Sequence, residues 1–93
     1  MVIGFAQVEV HYPGAQSLKD KRSILQGILS RLRKKWNVSA AEVEHRDLWQ
    51  KSVLALAHVN TDRAHADATI QEVLDSLELE SELQVAGSQV EYL

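Results

Sequence analysis

The spacing of apolar residues switches between two periods along this 93-residue chain, and that switching constrains the fold more than any single motif. From Ala6 to Tyr12 the segment AQVEVHY alternates. Ala6, Val8, Val10 and Tyr12 face one way and Gln7, Glu9 and His11 the other, the signature of a half-buried strand. PGAQ then turns the chain. Beyond Ser17, Ile24, Leu25, Ile28, Leu29 and Leu32 recur at three- and four-residue spacing, which predicts an amphipathic helix of about five turns. Ser17 is its expected N-cap, with Asp20 three residues on in a weak capping box, and Asn37 is its expected stop.

VSAAEV (38–43) predicts a short strand and HRDLWQK a polar connection. SVLALAHV (52–59) is apolar on both sides, as a central strand should be. Asn60, Thr61 and Asp62 offer caps for a second helix with Ala66, Ile70, Val73, Leu74 and Leu77 as its inner stripe. After the acidic ELESE, LQVAGSQVEYL closes the chain as a strand, with a bulge expected at Gly87. The order β-α-β-β-α-β, with right-handed crossovers and both helices on one face, predicts a single α+β domain over residues 1–93. Its architecture is the ferredoxin-like sandwich, a four-stranded antiparallel sheet under two helices.

The absence of cysteine excludes disulfides and thiolate chemistry, and fits a reducing compartment. MVIGFAQVEV lacks the basic start of a secretory signal, and no stretch approaches the roughly 20 apolar residues of a membrane span. A cytoplasmic protein with no membrane partner is the expectation. The net charge of −3 conceals a split. Residues 1–51 hold nine Lys and Arg against five Asp and Glu, whereas residues 52–93 hold only Arg63 against eight acids. Local patches, not the average, decide what such a chain attracts.

Seven of the ten Lys and Arg lie between Ser17 and Trp36. At the far end, Arg31, Arg33, Lys34 and Lys35 sit where the helix dipole is negative, so they stabilise the helix without a partner and form a secondary basic patch. Lys19, Lys21 and Arg22 crowd the first turn, where cations oppose the dipole. Lys21 also falls on the apolar arc of Ile24, Leu25 and Ile28. Two readings follow. Ser17, Lys19, Lys21 and Arg22 form an anion or RNA site at a helix N-terminus, or Lys21 lays its stem on apolar surface and pairs with an acid.

His11, His45, His58 and His65 lack zinc-site spacing, so no metal or other cofactor is expected. Neither GxSxG nor a Gly-rich phosphate loop is present, and no catalytic residue is assigned. An RRM-like platform would need aromatics on the sheet face away from the helices. There the pattern places Phe5, Gln7, Glu9 and His11 beside Leu54, Leu56 and His58, a poor stacking surface. Ile3, Phe5, Leu54 and Leu56 are instead expected to be covered by another chain, which makes a homodimer the expectation. Trp49 is expected to anchor its loop on the core edge.

PGAQSLKDKRSIL and NVSAAEVEHRDLWQKSVLALAHV resemble the two signatures of the YlxP-like family, small bacterial proteins whose domain is classed as of unknown function. The resemblance implies a ferredoxin-like fold. It also implies genes lying among those for translation initiation and ribosome maturation factors, and no catalytic residue carries over. The expected function is a non-enzymatic accessory protein that binds RNA or a ribosome-associated partner through its basic first helix. The alternatives are a phosphate-handling, acylphosphatase-like enzyme using the Ser17–Arg22 turn, and a protein-binding module acting through the sheet face.

Overall fold

The computed structural model describes residues 1–93. Its elements run β1 (Val2–His11), α1 (Leu18–Lys35), β2 (Ser39–Glu44), β3 (Lys51–Asn60), α2 (Arg63–Glu78) and β4 (Gln84–Tyr92). The strands form one antiparallel sheet in the order β2-β3-β1-β4, and the fold is the ferredoxin-like sandwich. A single core joins Ala6, Val8, Val10, Leu54 and Leu56 of the sheet to Leu25, Ile28 and Leu32 of α1 and Ile70, Val73 and Leu77 of α2. No helix is long and apolar enough to cross a membrane.

Both helix starts are built from side chains of the flanking turns. The Ser17 hydroxyl accepts the Asp20 N–H at 3.0 Å, and the Asp20 carboxylate accepts the Gln16 N–H at 3.1 Å, so the capping exchange closes one residue before its usual partner. Asp62 caps α2 by accepting the His65 N–H at 3.0 Å. α1 ends one residue earlier than Asn37 suggests. Trp36 is the cap, in extended backbone, with its N–H on the Leu32 carbonyl. Gly27 brings no element closer, since a Cβ there would meet only the Arg31 guanidinium at 3.4 Å. Gly4 does: a Cβ at that position would overlap the buried Ile70 side chain of α2.

The register corrects one expectation. Val8 pairs with Leu54 and Ala6 with Leu56, and directly paired residues share a face of the sheet. Leu54 and Leu56, each 2% exposed, therefore lie in the core under the helices and cannot be interface residues. The open face of β3 carries Val53, Ala55, Ala57 and Val59, opposite Glu9, Gln7, Phe5 and Ile3. A strand that is apolar on both sides gives no phase by periodicity alone. Side-chain volume decides it: leucines fill the deep layer beneath the helices and alanines suffice where nothing packs above. The β4 bulge falls beside Gly87, with Ala86 as the extra residue between the pairs Glu9–Gly87 and Val10–Val85.

Candidate functional site

The sequence places Lys21 on the buried arc of α1, and the structure shows what that location does. Its side chain is fully buried, and its ammonium reaches the Glu42 carboxylate at 2.8 Å and the His45 carbonyl at 2.9 Å. The carbonyls of Arg46 and Lys51 lie at 3.5 Å, at the outer limit of hydrogen bonding. Glu42 shares a face of β2 with Ala40, directed toward the core side. The same Glu42 oxygen accepts the Ser52 hydroxyl, and Ser52 in turn accepts the Tyr12 phenol at 3.0 Å. No buried side-chain polar atom lacks a partner. The chain of groups is thus complete, which a buried charge requires.

This arrangement corrects the anion-site reading of the first turn. Lys21 points inward and its charge is already met, so it is not available to an external anion. The Ser17 hydroxyl is engaged by the Asp20 N–H. Of the four residues proposed for that site, only Lys19 and Arg22 are exposed cations without an intramolecular partner. The phosphate-handling alternative loses the same groups.

Ser52 beside a carboxylate has the outline of an activated nucleophile, but it is fully buried, beyond the reach of substrate. The phenol of Tyr12 shows the cost of this environment. Burial pushes it above its ordinary value of 10.0, the Ser52 hydrogen bond pulls it back, and the Glu42 carboxylate pushes it further up. Since the native state holds the phenolic proton more tightly than the unfolded chain, the contribution is whole below pH 10.0 and is lost as pH rises through the native value. Urea melts between about pH 9 and pH 11 should therefore lose stability more steeply for wild type than for Tyr12→Phe. Parallel curves would show that the phenol is not held this way.

At the C-terminal end of α1 most cations have partners. Arg31 pairs with Glu80 at 2.8 Å, Arg33 donates to the Ala40 carbonyl at 2.5 Å, and Lys35 lies 4.8 Å from the centre of the Trp36 ring. Lys34 has none. Trp36 also donates its indole N–H to Glu72 of α2 at 3.3 Å. The histidines are dispersed, with His11 opposite Lys51 and His58 opposite Gly4, at the two ends of the β1–β3 ladder. His58 is structural, one ring nitrogen on the Asn37 carbonyl at 2.8 Å and the other on the Asn60 amide at 3.2 Å.

Trp49 departs from the anchoring role expected of it. It is 44% exposed, and its neighbour Leu48 is 40% exposed. The anchor is Lys21, in the second of its two readings, its stem along apolar surface and its ammonium paired with an acid. The signal was available: an acid on the core side of β2 and a lysine on the core side of α1 call for each other.

Residues 3–90 match a protein family described as "Protein of unknown function (DUF503)". The chain belongs to this family. A relative, "Uncharacterized protein YlxP" of Bacillus subtilis (strain 168), is 40% identical over 73 residues, covering 78% of this chain and 79% of the relative. This agrees with the YlxP-like signatures of the two sequence segments. Among solved structures, "De novo designed protein Foldit4" covers 98% of this chain and 96% of its own at a TM-score of 0.54. At 13% identity that likeness shows the fold alone, and the fold does not define an activity.

Proposed function

We propose that this DUF503 protein is a non-enzymatic accessory protein of the cytoplasm that binds RNA, or a ribosome-associated partner rich in RNA, through the outward face of α1. The observation carrying this reading is the set of exposed, unpartnered cations Lys19, Arg22 and Lys34 on that helix, joined by the partly engaged Arg33. Asp20, the one acid of the helix, is turned back onto the Gln16 N–H. From Lys19 to Lys34 the ridge runs about 22 Å along the axis, long enough to follow several phosphates of one strand. The gene neighbourhood implied by the family resemblance supports the same partner.

The test is affinity for a structured RNA against salt. Lys19→Ala/Arg22→Ala/Lys34→Ala should bind more weakly, with a salt slope shallower by about two to three, because up to three phosphate contacts are lost. Its unfolding free energy from urea melts should stay within about 0.5 kcal/mol of wild type, as expected for exposed positions. Unchanged affinity and slope, or no RNA binding by wild type at low salt, would remove the proposal.

A second reading is favoured by the open sheet face. Phe5, Ala41, Ala55 and Ala57 line a shallow apolar recess of about 240 Å³, with Ile3 half-buried nearby. A second copy of the chain seated there would give the homodimer expected from the sequence, now through Ile3, Phe5 and the β3 alanines.

A further inference from the structure

The ammonium of Lys21 lies beneath the connection between β2 and β3, and the backbone of that connection turns its carbonyls toward it. His45 takes a left-handed conformation, φ 64°, and its carbonyl also accepts the Leu48 N–H at 3.0 Å. At the other end the Gln50 carbonyl accepts the Tyr12 N–H at 2.8 Å. The loop is therefore tied at its start, middle and exit. A non-glycine residue in that backbone region costs free energy, and such strain persists only where the surroundings enforce it. What the tied loop displays is an adjacent pair of large apolar side chains, Leu48 and Trp49.

Trp49 shares a recess of about 350 Å³ with His11, Leu48, Gln50 and Lys51. No carboxylate lines this recess. The Lys51 ammonium has no partner within the protein, and neither has the Arg46 guanidinium on the same loop, whereas His11 is paired with Glu9 at 3.6 Å. Asp47 is the loop's one acid. A recess that holds an exposed tryptophan and an unpaired lysine offers a nucleotide an aromatic surface for its base and a cation for its phosphate. Lys21 reaches the loop from the first turn of α1, the turn that also carries Lys19 and Arg22.

We propose that the 45–50 loop is a base-stacking site for an unpaired segment of RNA, with Trp49 receiving the base and Lys51 the adjoining phosphate. The site rests on the RNA reading of α1 and adds to it a preference for single-stranded nucleotides over plain polyanions. The α1 ridge supplies charge without discrimination, and the loop supplies a π-surface that a nucleobase can use and a plain polyanion cannot.

The experiment compares a fluorescently labelled uridine octamer with inorganic polyphosphate of similar charge. Trp49→Ala should weaken octamer binding about tenfold and leave polyphosphate binding unchanged. Arg22→Ala/Lys34→Ala should weaken both. In a Trp36→Phe background, where Trp49 is the only indole, the octamer should quench its emission and polyphosphate should not. Octamer binding that falls in Arg22→Ala/Lys34→Ala but not in Trp49→Ala would overturn the stacking site while leaving the α1 reading intact. Binding of neither ligand by wild type would overturn both. Loss of a co-purifying protein in Trp49→Ala, with octamer affinity unaltered, would make the loop a protein contact and also overturn the proposal.

Discussion

Lys21→Met should lower the stability of the domain by about 3–5 kcal/mol, the range found when one partner of a buried ion pair is removed. Methionine keeps much of the apolar stem but leaves Glu42 with only the Ser52 hydroxyl. It also leaves the His45 carbonyl without its strongest donor. A domain of this length has a total stability of roughly 5–14 kcal/mol, so the loss is a large share of the whole. The helix dipole acts with the opposite sign, but removing a cation from a helix start relieves repulsion of only a few tenths of a kcal/mol. Magnitude decides between them. Urea melts measure the difference directly, and a loss below about 1 kcal/mol would show that the network is not stabilising. Replacing both charges in Lys21→Met/Glu42→Leu should recover much of the loss, since no uncompensated charge is then buried.

Leu56→Asp should fail to fold. Truncating a buried leucine alone costs about 2–5 kcal/mol, and a carboxylate placed between Ala6 and the helices adds the cost of an unpaired buried charge. Circular dichroism and urea melts read the outcome. A folded, monomeric Leu56→Asp protein would contradict the β1–β3 register. The variant that tests assembly is Ala57→Asp, on the open face opposite Phe5. It should fold with an unfolding free energy within about 0.5 kcal/mol of wild type, and sedimentation should show a dimer in wild type and a monomer in the variant if the sheet face joins two copies. A wild-type protein that is monomeric at high micromolar concentration would remove the dimer reading.

Periodicity and turn chemistry act over a few residues, so the features they control were legible in the chain. The alternation of Ala6, Val8, Val10 and Tyr12, the Leu25–Leu32 stripe and the Ser17 cap each correspond to an element or cap of the structure. The class of the fold follows from their order. The family was legible too, because its signatures are continuous segments matched within residues 3–90.

What local pattern leaves open is anything that depends on which strand lies beside which and at what register. Leu54 and Leu56 alternate with Val53, Ala55 and Ala57, and only pairing with Ala6 and Val8 decides which set the helices cover. The Lys21 ammonium could be read as a free cation until β2 brings Glu42 to within 2.8 Å of it, across 21 positions of sequence. Trp49 could be read as an anchor until that same lysine proves to hold the loop in its place. Local patterning was enough to specify the elements, their order and the surplus of charge on the first helix. Tertiary structure decided which of those charges face solvent, because in a low-dielectric interior a cation is kept only where distant parts of the chain converge to meet it.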